Sequence, residues 1–236
     1  MCLYDARDAL PNASRNVHLA ELKEANMLRR TFLQSAAGTA IAPVLTGCVG
    51  VVKSLVPQTA TATVNMLQLA QAIEVQLCPE WCWAACISMI FEFYGHPISQ
   101  AAIVAQTYGA VICQAAQTTR TIAVDLSRTW IDNFGKPFTS HIIAAYDPAN
   151  GQNTLQNSQI VNELSGDHPL LFCNTTHAEV LYSVTYENSA LNPIIVEADV
   201  IDPWPSSPRA HQLSPIEMTP NLLGGYMNFL AAVRVV

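Results

Sequence analysis

The chain is poor in charge, and basic residues are especially scarce. Only 12% of its 236 residues are charged, and 11 Lys and Arg against 18 Asp and Glu give a net charge of −7 at pH 7. A protein that binds nucleic acid needs a basic stripe or patch, so this balance argues against a nucleic-acid partner. Half of the residues are hydrophobic, which at this length is enough for one globular domain with a substantial core.

Patterns that would define other classes of protein are also missing. There is no internal repeat, and the uncharged stretch over residues 31–47 is too short and too weakly hydrophobic for a transmembrane helix, which needs roughly 20 strongly apolar residues. The cysteines include no C-x2-C pair, and no H-x3-H accompanies them. Because Cys78, Cys82 and Cys86 are spaced as C-x3-C-x3-C, zinc and thioredoxin-like redox functions are disfavoured. No metal or organic cofactor is expected.

Residues 27–47 have the composition of an export signal. Arg29 and Arg30 precede an uncharged stretch of small and apolar residues, as in a signal peptide. RRTFL resembles the twin-arginine export motif, and LTGC resembles a bacterial lipobox, in which Cys48 is acylated and becomes the mature N-terminus. We therefore expect an exported protein that is lipid-anchored in the cell envelope. Val49, where a retention signal would have Asp, favours the outer membrane in an organism with two membranes.

These signals divide the chain into four parts. Residues 1–26 precede a second methionine, Met27, and are interpreted as an extension ahead of the natural start. After the signal peptide, residues 48–73 are poor in charge and rich in Thr and Ala, and we expect them to form a tether. Residues 74–236 form the predicted domain. We expect this domain to be a monomer that contacts the membrane only through its lipid anchor.

Five cysteines remain in the domain, and Cys82 has the sequence context of a nucleophile. It is followed by WAACISMIFEFYG, in which apolar residues recur at helical spacing until Gly95 and Pro97 end the helix. Cys82 would therefore lie in the first turn, where backbone N–H groups and the helix dipole favour a thiolate. From this pattern alone, a core cysteine at the start of a helix remains the alternative.

The segment around Cys82 resembles the papain-like cysteine peptidases. In that family a glutamine six positions before the nucleophile helps to form the oxyanion hole, and Cys-Trp-Ala opens the central helix. This chain has Gln76 and a CWA that begins at Cys82. WCWAAC, FYG at 93–95 and ISQ at 98–100 are similar to a compact bacterial group that includes avirulence effector peptidases of plant pathogens. Over about residues 74–236, the resemblance implies an α+β fold with the cysteine on a helical lobe.

The resemblance also implies a histidine and an aspartate on an antiparallel sheet lobe. His177 opens HAEVLYSVTY, a predicted strand with β-branched residues that resembles the family's catalytic strand because it begins with His-Ala. The next strand, IIVEADVI, leads to Asp202 in DPWP, a segment that the compact group shares. Asp202 would then orient His177, with Asp199 as the alternative. The other histidines of the domain are expected in turns or on the surface: His96, His141, His168 and His211.

The remaining sequence predicts a helical first half and a strand-rich second half. Helices are expected at 99–109, 118–135 and 157–169, and strands at 137–146, 170–174, 177–186, 193–201 and 226–236. Four cysteines besides Cys82 permit three disulfide pairings. Cys86 with Cys113 is the pairing favoured here, and reduced thiols are the alternative because twin-arginine export carries folded chains.

The expected function is that of a thiol peptidase. Cys82, His177 and Asp202 would form the triad, Gln76 would bind the oxyanion, and the partner would be a protein or peptide substrate. Two alternatives stay open. One is another acyl chemistry on the same fold, either a cell-wall amide hydrolase or a transglutaminase-type acyl transferase. The other is a catalytically silent lipoprotein that uses the fold to bind a surface.

Overall fold

The computed structural model describes residues 58–189, 192–206 and 209–236. The predicted signal peptide, the predicted lipid-attachment residue Cys48 and the first part of the predicted tether lie outside these residues. In the described part of the chain, no helix combines the length and the apolar character needed to cross a membrane.

Helices dominate the first half of the described chain and strands the second half. The first half contains β1 (Thr59–Thr63), α1 (Met66–Ala72), α2 (Cys82–Phe93), α3 (Gln100–Tyr108) and α4 (Thr119–Asp125). The second half contains β2 (Thr129–Ile131), β3 (Pro137–Asp147), β4 (Gln152–Asn153), α5 (Asn157–Ser165), β5 (Leu170–Cys173), β6 (Ala178–Glu187), β7 (Ile194–Ile201), β8 (Ala210–Gln212), α6 (Pro215–Met218) and β9 (Phe229–Val235). This segregation of helices and antiparallel strands confirms the predicted α+β class.

The strands form an antiparallel sheet in the order β2-β3-β9-β5-β6-β7-β8, with β1 also paired to β6 and β4 to β3. The register of β6 and β7 decides where the site lies. Val180 near the start of β6 is opposite Ile201 at the end of β7. The residue before β6, His177, and the residue after β7, Asp202, therefore come to the same end of the sheet.

Helix α2 is enclosed by the rest of the domain and packs against β5 and β6. Ten of its twelve residues are buried, including Trp83 and Phe91, as expected of a helix that is apolar on all sides. The polar residue among these ten, Ser88, donates a hydrogen bond to the carbonyl of Ile98. Gly95, at φ +81°, lets the chain turn away after the last helical turn. This packing fixes the direction in which the first turn of α2 points.

The folded domain begins earlier than the sequence predicts. Residues 59–72 lie in the stretch that we expected to be a tether, yet β1 pairs with β6, with Thr61 opposite Thr185. The side chain of Asn65 caps α1 by accepting hydrogen bonds from the backbone N–H groups two and three positions later. Leu69 of α1 is fully buried. The alternating Thr-Ala pattern is therefore an edge strand with small side chains, and residues 59–72 belong to the folded domain and not to the predicted tether.

The predicted helix over 118–135 is wrong. Only Thr119–Asp125 is helical, and the chain then turns into a hairpin in which Trp130 of β2 is opposite Phe138 of β3. The Trp130 indole N–H donates to the carbonyl of Asp125 at 3.0 Å, at the end of α4. Gly135, at φ +79°, lies in the hairpin turn. The glycine that was predicted to end a helix thus lies in the turn between two strands.

Candidate active site

A cleft of about 310 Å³ lies where the start of α2 meets the ends of β5 and β6. Its helical wall contains Cys82, Trp83 and residues 115–119, and its sheet wall contains residues 173–178 and Asn228. The cleft brings Cys82 and His177 to opposite walls of one space, although 95 positions separate them in the chain.

Cys82 is the first residue of α2 and is only partly buried. Trp81, at the N-cap position, makes no side-chain capping hydrogen bond. The first N–H groups of a helix have no partner within the helix, so they and the helix dipole stabilise negative charge at this end. The two other free thiols of the described residues, Cys86 and Cys173, are buried, and burial raises the pKa of each well above its ordinary value. Cys82 is therefore the accessible thiol of the site.

The loop before Cys82 is held by a disulfide that the sequence analysis assigned differently. Cys78 is bonded to Cys113, with 5.9 Å between their Cα atoms. The predicted pairing of Cys86 with Cys113 is wrong, because Cys86 lies one helical turn beyond Cys82 and faces the core with no exposed surface. Cys78 lies in the loop, within the separation that a disulfide requires. The bond ties the entry to α2 to the segment after α3.

Aromatic side chains tie the same two segments together. The indole N–H of Trp81 donates to the carbonyl of Ile112 at 2.9 Å, and that of Trp83 donates to the carbonyl of Gln114 at 3.2 Å. The hydroxyl of Tyr108 donates to the carbonyl of Ala115 at 2.7 Å. These hydrogen bonds satisfy backbone carbonyls of a segment that lacks regular secondary structure. They hold this segment in place where it forms one wall of the cleft.

His177 is positioned by an Asn turn at the end of β5. The Oδ1 atom of Asn174 accepts hydrogen bonds from the backbone N–H of Thr176 at 2.9 Å and of His177 at 2.8 Å. The backbone N–H of Asn174 in turn donates to the carbonyl of His177 at 3.0 Å. Sequence analysis did not single out Asn174. Its signal was an Asn shortly before the histidine, because Asn side chains commonly bond to backbone N–H groups two or three positions later.

Asp202 accepts the hydrogen bond that orients the imidazole. Its Oδ1 atom lies 2.7 Å from Nε2 of His177, and the backbone N–H of Trp204 also donates to Oδ1 at 2.7 Å. The indole of Trp204 stands edge-on to the His177 ring, with 6.3 Å between centroids. Asp202, and not the alternative Asp199, is thus the carboxylate that contacts His177. Because Asp202 occupies Nε2, Nδ1 is the nitrogen left for Cys82.

Burial alone lowers the pKa of His177, but hydrogen bonds with Asp202 and with Cys82 outweigh it and raise this pKa to about 10. At neutral pH the ring is therefore an imidazolium between a carboxylate and the sulfur. Such a cation stabilises a neighbouring thiolate, which is the reactive form of cysteine.

Gln76 is buried at the base of the loop that leads to Cys82. Its Nε2 atom donates to the carbonyls of Cys78 at 3.1 Å and Pro79 at 2.8 Å, and its backbone N–H donates to the carbonyl of Pro203 at 2.9 Å. Gln76 therefore joins the loop before the nucleophile to the segment after Asp202. In this geometry both amide hydrogens are directed at loop carbonyls.

A second carboxyl group lies beneath the His177–Asp202 pair. Glu179 follows His177 by two positions and is 3% exposed. Its Oε1 atom lies 3.2 Å from Nε2 of His211, which belongs to β8. Sequence analysis placed His211 in a turn or on the surface and did not consider Glu179. The available signal was a charged residue between apolar neighbours near the start of a strand.

His177, Glu179 and Asp202 each offer one ligand atom within 4.8 Å of the others. Such a cluster could bind a metal ion, but two ligands of one tetrahedral zinc ion lie about 3.3 Å apart. The 2.7 Å between His177 Nε2 and Asp202 Oδ1 is shorter than this and is the distance of a hydrogen bond. The remaining histidines have other surroundings. His96 contacts Asp132 and stacks on Phe138, and His168 contacts Glu163 and stacks on Tyr94.

A comparison with known protein families gives a match for this chain. The family model described as papain-like cysteine protease AvrRpt2 matches residues 63–217, which is more than half of the chain and includes the helix of Cys82, His177 and Asp202. No curated protein matches the chain. The match begins at the last residue of β1 and thus also includes residues 63–73 of the segment that we expected to be a tether.

Proposed function

The chain belongs to the papain-like cysteine protease family, and from this premise we propose that it cleaves peptide bonds with Cys82, His177 and Asp202. The observation that carries the proposal is the 2.7 Å contact of His177 with Asp202 in the cleft that Cys82 also lines. Cys82 is the nucleophile, His177 the proton carrier and Asp202 the orienting group. This is the arrangement that nucleophilic catalysis requires.

The reaction follows from the charges of the pair. The Cys82 thiolate attacks the carbonyl carbon of the substrate, and the carbonyl oxygen becomes an oxyanion. The His177 imidazolium gives its proton to the leaving amine, the C–N bond breaks, and an acyl-enzyme remains. Neutral His177 then takes a proton from water, which attacks the thioester and frees Cys82. Asp202 keeps the imidazole in one orientation and stabilises its charged form.

The oxyanion is proposed to bind at the start of α2. The backbone N–H of Cys82 is one donor. Gln76 supplies the second when its amide exchanges one loop carbonyl for the substrate. Gln76→Ala should then lower kcat by about 100- to 1,000-fold, the usual effect of losing one oxyanion donor. Because Gln76 also supports the loop, a thermal unfolding scan of the variant is needed beside the kinetics.

The proposal is tested by alkylating Cys82 with iodoacetamide across pH, using residues 49–236. Cys82 should react faster than free cysteine well below pH 8 because His177 stabilises the thiolate. His177→Ala should abolish this advantage, whereas His141→Ala, which changes an exposed strand residue, should retain it. A Cys82 that reacts like free cysteine in the unaltered protein would contradict the assignment.

Hydrolysis itself is tested on a peptide library prepared from whole-cell protein. New amino termini should appear with the unaltered protein and be absent with Cys82→Ala. The sequences around those termini would give the specificity. Equal sets of termini from both proteins would leave Cys82 without a role in hydrolysis and contradict the proposal.

We also propose that the protein is exported and lipid-anchored through Cys48, as a monomer. The support is the twin-arginine segment followed at once by the lipobox. The full chain expressed in a bacterium should partition into detergent, and Cys48→Ala should move it to the aqueous phase. Cys2→Ala is the matched control and should change nothing. Aqueous partition of the unaltered chain would contradict the anchor.

A further inference from the structure

Glu179 is a buried carboxyl group that the proposed mechanism does not use. It lies in β6, on the same side of the strand as His177, because the two are separated by two positions. Its side chain has little access to water, and its Oε2 atom has no hydrogen-bond partner among the described residues. A buried carboxyl group with one unpaired oxygen is costly to retain, so its position needs a physical reason.

Ionisable groups face Glu179 from the elements around it. They are Cys86 from α2, Cys173 from β5, His177 at the start of β6, Asp202 at the end of β7, His211 from β8 and Glu217 from α6. Only the two histidines can carry positive charge. One of them is the proposed proton carrier, and the other contacts Glu179 directly. Two carboxylates, Asp202 and Glu179, thus share one imidazolium.

We propose that Glu179 is a positioning residue whose protonation controls how firmly His177 holds its proton beside Cys82. This inference rests on the proposed function, since it concerns the proton that His177 gives to the leaving amine. Glu179 touches no reacting atom. It acts through the electric field at His177, across less than 4.8 Å between a carboxylate oxygen and a ring nitrogen.

The coupling is reciprocal. Burial raises the pKa of Glu179 to about 7, the charge of His177 opposes that rise, and the charges of Asp202 and Glu217 add to it. Because His177 favours ionised Glu179, ionised Glu179 must favour protonated His177 to the same degree. Protonation of Glu179 removes one of the two anions near the ring. His177 should therefore be a weaker acid above neutral pH than below it.

The inference is tested by NMR titration of His177 in protein labelled at histidine Cε1, with His177→Gln used to assign the resonance. In Glu179→Gln the midpoint of His177 should fall by about one pH unit, as expected when one nearby opposite charge is lost. A second inflection near pH 7, caused by Glu179, should disappear. Glu187→Gln, the same change at the far end of β6, should leave the curve unaltered.

A His177 curve in Glu179→Gln that matches the unaltered protein would overturn the inference. Circular dichroism establishes whether that variant is folded. If it does not fold, His211→Gln tests the same link without changing β6. The carboxylate then loses its contact with His211, so the inflection near pH 7 should move to higher pH. An inflection that does not move would overturn the inference.

The proposed function and this inference are contradicted by different experiments. The absence of rapid alkylation of Cys82 or of new amino termini would contradict the proposed function, and the titration of His177 would still report on Glu179. If both hold, the basic limb of the kcat/KM profile should also shift to lower pH in Glu179→Gln. Thermal stability at one pH would not reveal this shift, so the pH profile separates a positioning role from a structural one.

Discussion

The wall of the cleft that carries Cys82 is held by a disulfide and two tryptophans, whereas the opposite wall is held by hydrogen bonds between charged groups. On the first wall, Cys78 and Cys113 join the loop before α2 to the segment after α3. On the second wall, His177, Asp202 and Glu179 lie within 4.8 Å of one another. We therefore expect the first wall to respond to reduction and the second wall to respond to pH.

This difference follows from what each wall must do. The nucleophile needs a fixed place at the end of a helix, and a covalent bond supplies that at any protonation state. The base must exchange protons during every turnover, so its partners must be groups whose charge responds to it. The contrast predicts that changes to the sheet wall alter acid–base behaviour, and changes to the helical wall alter geometry and stability.

The largest effect should come from Asp202→Asn. The amide cannot stabilise the imidazolium, so the pKa of His177 should fall well below about 10 and kcat/KM should fall by about 100- to 10,000-fold, as for orienting aspartates in other triads. Kinetics across pH measure both changes. Asp199→Asn, three positions earlier in β7, is the matched control and should retain activity. Similar losses in both variants would contradict a specific role for Asp202.

Next in size is the loss of the disulfide. Cys78→Ser with Cys113→Ser removes a crosslink that closes a 35-residue separation, so the free energy of unfolding should fall by about 3 to 4 kcal/mol. Denaturant unfolding measures it. The midpoint of the His177 NMR titration should stay unaltered, because the Cys78–Cys113 disulfide is not part of the sheet wall. A displaced His177 midpoint would show that the two walls are not independent.

The parts of the site that could be predicted from sequence are those with a strong local pattern. The apolar residues after Cys82 recur at helical spacing and predict α2. The β-branched residues after His177 predict β6. Asp202 could be placed because it follows the next predicted strand and opens DPWP, a segment that resembles one of the compact peptidase group. The family match supports the fold but leaves the individual roles of these residues to experiment.

What could not be predicted depends on contacts between distant segments. The partner of Cys113 was misassigned because spacing does not reveal that Cys86 faces the core. Trp130 was placed in a helix because its contact with the end of α4 and its pairing with β3 are tertiary contacts that the local pattern does not show. Glu179 was overlooked because a lone carboxyl group in a strand reads as a solvated position until neighbouring strands bury it.

Glu179 should make the stability of the protein depend on pH. Its pKa is raised from 4.5 to about 7, chiefly by burial, so between these values the folded state holds a proton that the unfolded state has released. Stability contributed by this group is therefore present at pH 4.5 and is lost as the pH rises through 7. The free energy of unfolding of Glu179→Gln, relative to that of the unaltered protein, should therefore rise by up to about 3 kcal/mol as the pH increases from 5 to 8. Denaturant unfolding at both pH values checks this.

Glu217→Gln is a useful comparison because Glu217 repels Glu179 from α6. It should shift the same pH dependence toward lower pH without abolishing it. A Glu179→Gln variant with the pH dependence of the unaltered protein would mean that Glu179 is charged in both states, and the sheet wall would then lack its second titrating group.

The smallest effect should come from Trp81→Phe, which removes the hydrogen bond to the carbonyl of Ile112 and keeps the aromatic ring. The free energy of unfolding should fall by about 1 kcal/mol, the usual net worth of one such bond. Trp130→Phe removes a comparable bond to Asp125, away from the cleft, and should cost about the same. Only Trp81→Phe should also lower kcat/KM, because it loosens the wall beside Cys82. Equal kinetics in the two variants would mean that the disulfide alone holds that wall in place.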